Sequence, residues 1–218
     1  MLELNRLYNL DCMEGMRQFP DKYFELAICD PPYGINIAAE GRIGRGTLAK
    51  TTHFTPKKWD KAPPSPEYLD ELFRVSKNQI IFGANHFISR LPYDSPCWLV
   101  WDKDNGTSDF ADCELAWTSF KTPVRIFHFT WHGFRQGNMR QKETKIHPTQ
   151  KPVALYESIL SKYSNEGDKI LDTHVGSASS LIACNNFNLS YVGFEIDKEY
   201  YAAAVERIKE QTAQIKMY

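Results

Sequence analysis

Residues 29–34 read Cys29-Asp30-Pro31-Pro32-Tyr33-Gly34, directly after the apolar run Glu25-Leu26-Ala27-Ile28-Cys29. Proline neither continues a helix nor donates to a sheet ladder, so a core strand must stop here in an acid, two prolines and an aromatic. Two more acids close apolar runs. One is Asp172 in Ile170-Leu171-Asp172-Thr173-His174-Val175-Gly176-Ser177, where a glycine opens a helix. The other stretch is Tyr191-Val192-Gly193-Phe194-Glu195-Ile196-Asp197. An acid about 20 residues beyond a glycine turn can accept hydrogen bonds from a ribose in nucleotide-type folds. The plainer readings are a rigid proline turn at 31–32 and a helix N-cap at Glu195 or Asp197.

Other groupings do not add up to a site. Pro96-Cys97 opens an apolar strand, which suits a buried structural thiol. Asp102 to Gly106 has its glycine one place early for a calcium loop and no closing glutamate. His128 and His132 lie on a strand-like stretch without a catalytic glutamate between them, so no metal is expected.

Acids at strand ends need a sheet to align them. A chain of 218 residues, 42% hydrophobic, is long enough for one ample core, and a single domain over 1–218 is expected. Apolar strand candidates fall at 6–10, 25–29, 79–82, 97–101, 124–130, 169–171 and 191–194, with helical stretches at 13–19, 67–76, 153–164, 177–186 and 198–214. That alternation predicts a mostly parallel sheet covered on both faces. Between 98 and 130 strand-like pieces follow one another without a helix, which suggests an antiparallel edge. Two segments, 34–66 and 131–151, lack periodicity and are rich in Gly, Pro and basic residues; loops this long in a compact domain usually carry function. Five scattered cysteines without a CxxC pair suit reduced thiols, and no apolar run reaches membrane-span length, so a cytoplasmic protein is expected.

Taken together, Asp30-Pro31-Pro32-Tyr33, His147-Pro148-Thr149-Gln150-Lys151-Pro152, Asp172 to Ser177 and Gly193 to Asp197 closely resemble the β group of DNA amino-methyltransferases. The resemblance runs from about residue 8 to 207 and includes that group's circularly permuted order, catalytic motif before cofactor motif. It implies a Rossmann-like, seven-stranded, mostly parallel sheet with one antiparallel strand, and S-adenosylmethionine as methyl donor. It assigns the side chain of Asp30 and the carbonyl of Pro31 to the hydrogens of the target amine, with Pro32 fixing the backbone and Tyr33 stacking on a base swung out of the duplex. It sets Asp172, His174, Gly176 and Ser177 around the methionine half of the cofactor, Glu195 on its ribose, and Asp11 and Cys12 at its adenine. His147 to Lys151, with Thr149, resembles the motif that closes over the methionine carboxylate, which Lys151 would pair. The family pattern D-P-F-x-G-S-G is altered here, with Thr173, His174 and Ala178 for Pro, Phe and the second Gly.

The implied partner is double-stranded DNA. Net charge is −1, so the whole molecule is no polycation and contact must be local. Residues 41–61 carry Arg42, Arg45, Lys50, Lys57, Lys58 and Lys61 against Asp60 alone; residues 131–151 carry Arg135, Arg140, Lys142, Lys145 and Lys151 against Glu143 alone. Both loops are expected to touch DNA, with Trp131 stacking or wedging. The expected reaction is adenine-N6 methylation. Cytosine-N4 methylation needs the same acceptors, but a serine is common at the Asp30 position in cytosine enzymes. A catalytically silent DNA-binding relative is the alternative of another class. A homodimer and a restriction partner are left open by the sequence.

Overall fold

A computed structural model of the chain describes residues 1–37, 42–43, 52–53, 56–57, 59–106, 111–132, 135–140 and 142–215. In chain order the elements are β1 (Arg6–Tyr8), α1 (Cys12–Met16), β2 (Phe24–Cys29), β3 (Arg42–Ile43), β4 (Thr52–His53), α2 (Pro66–Val75), β5 (Ser76–Phe82) and β6 (Trp98–Asp102). After them come β7 (Cys113–Thr118), β8 (Arg125–His128), β9 (Trp131–His132), β10 (Arg135–Gln136), α3 (Val153–Tyr163), β11 (Lys169–Asp172), α4 (Ser179–Asn186), β12 (Ser190–Phe194) and α5 (Lys198–Ile215).

Eight strands form the main sheet in the order β1-β12-β11-β2-β5-β7-β6-β8. β2 is apolar almost throughout because both its faces are covered. Leu26 and Ile28 pack in a cluster with Leu155 and Ile159 of α3 and Leu181 of α4. Ala27 and Cys29 join Leu69, Leu72 and Val75 of α2 in a second cluster. The period-2 alternation of β2 thus feeds two cores, one on each face of the sheet.

Only β7 runs against its neighbours, pairing antiparallel with β5 and β6, while β6 and β8 are parallel to each other. The reversed strand lies inside the sheet, not at its edge, and was hidden in the stretch 98–130. The eighth strand, β8, is one more than the family resemblance implies. Its burial pattern is exposed except at Phe127, as an edge strand allows. Each long loop holds a short two-stranded ribbon, β3 with β4 and β9 with β10. Among the described residues no helix is long and apolar enough to cross a membrane.

Candidate active site

Parallel strands bring their carboxyl ends to one edge, and the acids singled out above meet there. Asp30 follows β2, Asp172 ends β11 and Glu195 follows β12. β7 is reversed, so its beginning reaches the same edge: Glu114 lies opposite Trp101, near the end of β6.

Two cavities open at this edge. The first, about 280 Å³, is lined by Asp30, Pro32, Trp59, His147, His174, Gly176, Ser177, Glu195 and Tyr200, among others. The second, about 580 Å³, is lined by Tyr33, Ile35, Ile37, His86, Trp101, Lys103, Glu114 and Trp131, among others. Thr149, Gln150 and Lys151 line both and form part of the wall between them.

In that wall, Lys151 Nζ stands 2.5 Å from Asp30 Oδ2 and 3.1 Å from Glu114 Oε2. Lys151, expected to pair the methionine carboxylate, lines the first cavity and has its ammonium between two protein carboxylates. Lys103 Nζ is 2.6 Å from Glu114 Oε1. Burial raises Asp30 above the usual carboxylate range against the pull of Lys151. Burial would do the same to Glu114, but Lys151 and Lys103 outweigh it and hold that carboxyl at about 2. The Tyr33 hydroxyl donates to Asp30 Oδ1 at 2.5 Å.

The Asp-Pro-Pro-Tyr turn is fixed by a residue the sequence reading counted only as a charge. Asp60, buried, accepts from the N–H of Tyr33 at 2.7 Å and of Gly34 at 2.8 Å through Oδ1, and from Ile37 N–H at 2.9 Å through Oδ2. Being the one acid among six cations was the available signal. Tyr33 stacks on His86 with ring centroids 5.1 Å apart. Gly83 leaves room for that ring, since a Cβ there would lie 2.0 Å from Tyr33 Cε1.

Around the first cavity, Glu195 accepts from Gly176 N–H at 2.9 Å and Asp197 N–H at 2.8 Å. Asp197, in turn, accepts from Glu199 and Tyr200 N–H at the start of α5, so the cap reading holds for Asp197 and Glu195 faces the cavity. His147 packs between Trp59, 5.5 Å away, and Tyr200, 4.3 Å away. Burial keeps its imidazole neutral, lowering it to about 3, and lowers His174 to about 4. Asp172 is not in the cavity wall. It is buried beneath it, accepts from His174 N–H and the Ser180 hydroxyl, and is pushed up to about 7 by burial. Asp11 is the N-cap of α1, bonding Met13 N–H at 2.8 Å, and neither it nor Cys12 of that helix lines the two cavities.

The altered loop has a physical reading. Thr173 reaches the Tyr68 hydroxyl at 2.7 Å and His174 Nδ1 at 2.9 Å, so the departures from Pro-Phe are bonded in place. Ala178 has φ 64, the left-handed region that glycine adopts without strain. Ala178→Gly is expected to stabilise the fold by about 0.5–1 kcal/mol, because the strain at Ala178 outweighs the entropy glycine adds to the unfolded chain. A lower midpoint in urea for that variant would contradict this.

The residues expected to touch DNA are placed in different surroundings. Arg135, Arg140 and Lys142 are exposed on the segment from β10 onward. Lys57 is turned to the wall of the first cavity, 2.8 Å from both Asp197 and Glu199, so its charge is matched within the protein. Trp131 is 7% exposed and donates to the Gln150 carbonyl at 2.7 Å, so it is a wall of the second cavity and not a surface wedge. Arg42 is described only as backbone of β3, and Arg45 and Lys58 lie outside the described residues. Sequence reasoning missed Arg207. It donates to the Ser177 carbonyl at 2.5 Å and to Glu143 Oε2 at 2.5 Å, tying the glycine loop to the basic segment.

Comparison with known proteins agrees with this arrangement. The family described as DNA methylase, of N6/N4 type, matches residues 92–206. The type II methyltransferase M.HpaI of Haemophilus parainfluenzae is 47% identical over 241 aligned positions, covering 93% of this chain and 74% of that protein. A crystal structure of an M1.HpyAVI–SAM complex superposes with a TM-score of 0.59 at 20% identity, covering 93% of this chain and 98% of the other. The PvuII DNA methyltransferase, cytosine-N4-specific, gives 0.59 at 12% identity, covering 96% and 91%.

Proposed function

The chain belongs to the N6/N4 family of DNA methylases, and from that premise we propose that it methylates the N6 amine of an adenine swung out of double-stranded DNA. The observation that carries the reading is Asp30, which follows a strand end at the prolines, lines the first cavity and is bonded to Tyr33 and Lys151, which line the second. The first cavity is assigned to S-adenosylmethionine and the second to the base.

The first cavity suits that cofactor. It offers aromatic faces (Trp59, Tyr200), a carboxylate at a strand end (Glu195) and a glycine with φ 53 that lets a ligand approach the backbone. When bound, S-adenosylmethionine supplies a methyl group already activated by its sulfonium. The protein's task is then positioning and electrostatics. Asp30 and the Pro31 carbonyl accept the two amine hydrogens and turn the nitrogen lone pair away from the ring. Asp30 holds the proton that leaves, and Tyr33 and Lys151 fix its carboxylate. Trp101, Trp131, Ile35 and Ile37 give the base an apolar, aromatic enclosure.

Glu195→Ala is expected to weaken S-adenosylmethionine binding by about 1–3 kcal/mol, the cost of a lost buried hydrogen-bond partner. Calorimetry returning wild-type affinity would remove Glu195 from the cofactor site. The reaction itself is tested by expressing the chain in a host free of DNA methylation and sequencing the modified bases. N6-methyladenine at a recurrent site is expected. N4-methylcytosine would move the reading to the cytosine amine, and unmodified DNA beside a binding-competent protein would make the chain a silent relative.

A further inference from the structure

We infer that Glu114 is a further positioning residue of the transfer site: through Lys151 it keeps the surroundings of Asp30 electrically neutral while positive charge reaches the target amine. This rests on the reading of Asp30 given above. The cluster comprises two carboxylates, Asp30 and Glu114, and two ammonium groups, Lys151 and Lys103, joined in a chain at 2.5, 3.1 and 2.6 Å. Its formal charge is zero. Lys151 is 2% exposed in its side chain, and its Nζ also lies 4.8 Å from the centre of the Phe82 ring, so water does not screen it. Glu114 Oε2 is buried 3.1 Å from Lys151 Nζ, so the charge of that carboxylate acts on the ammonium out of reach of water.

The chemistry makes neutrality matter. A bond forms between the amine nitrogen and the methyl carbon as the sulfur–carbon bond breaks, and the electron pair of that bond stays on sulfur. The nitrogen carries the positive charge until one of its protons leaves to Asp30. Without Glu114 the remaining groups sum to +1 beside that nitrogen, and Lys151 turns wholly to Asp30, reducing its strength as an acceptor. The same carboxylate that balances the lysines therefore lowers the barrier to placing a cation at Asp30.

The test is turnover at saturating DNA and cofactor for Glu114→Gln, which keeps the shape and removes the charge, and for Glu114→Gln with Lys103→Met, which restores a neutral sum. Glu114→Gln is expected to lower kcat on the order of 50-fold, the effect of one unbalanced charge several ångströms away at an effective dielectric of about 20. KM for cofactor and DNA should stay within about twofold. The double variant should recover most of the loss, and if the single variant fails to fold, the double variant alone carries the test. A wild-type kcat for Glu114→Gln, or a double variant as impaired as the single one, overturns the inference. Asp30→Asn run alongside separates the two levels. If it retains turnover, the transfer reading itself fails; if it is inactive while Glu114→Gln is normal, only the role of Glu114 fails.

Discussion

Asp30→Ala is expected to reduce methyl transfer by roughly 10²–10³-fold, the scale seen when a preorganised transition-state partner is removed. The cofactor should still bind within a few-fold of wild type, because Glu195, Gly176 and the aromatic wall are untouched. The fold should survive, since Lys151 keeps Glu114 as a partner 3.1 Å away. A tritiated-methyl assay beside calorimetry reads both quantities. Near-normal turnover, or loss of cofactor binding with the same severity, would place Asp30 elsewhere in the reaction.

Lys151→Met is expected to act on stability as well as activity. It leaves Asp30 without its ammonium and Glu114 with Lys103 alone, and removing one member of a buried ionic group costs about 3–5 kcal/mol. In a domain of this size that lowers Tm by roughly 6–20 °C. The pH dependence fixes the mechanism. Glu114 is lowered from 4.5 to about 2 by its lysines, so its pairing contributes stability above its unfolded value that is lost as pH falls from about 4.5 towards 2. The deficit of Lys151→Met should therefore be largest near neutral pH and shrink below about pH 4.5. A deficit that stays constant from pH 7 down to about 2 would mean that the lysine stem, and not its charge, stabilises the fold.

The elements that carry the site were legible because each ends in local punctuation. Strand β2 stops at two prolines, β11 at an acid before a glycine turn, and β12 at an acid before a helix cap. Strand β7 was not legible. Its sequence Cys-Glu-Leu-Ala-Trp-Thr lies among other strand-like pieces, and nothing local says that it runs backwards between β5 and β6. Glu114 was lost with it, and so was one of the two carboxylates that hold Lys151. Asp11 shows a different ambiguity. A strand end followed by an acid marks a ligand contact and a helix cap alike, and the geometry of α1 shows the cap. Charge counting misled at Lys57 for a similar reason, since the carboxylates that match it are about 140 residues away.

The pinning of the proline turn by Asp60 has a consequence for how such a protein can diversify. The backbone at 33–37 is anchored to a side chain 23–27 residues later, so the intervening chain leaves and rejoins the body at one place. For a flexible loop with fixed ends, doubling the length costs only about 0.6 kcal/mol in closure entropy. Insertions or deletions between the anchors can therefore be accommodated while Asp30 and Tyr33 keep their positions. The chemistry and the contour of the surface around it are inherited separately, and a single aspartate marks the seam.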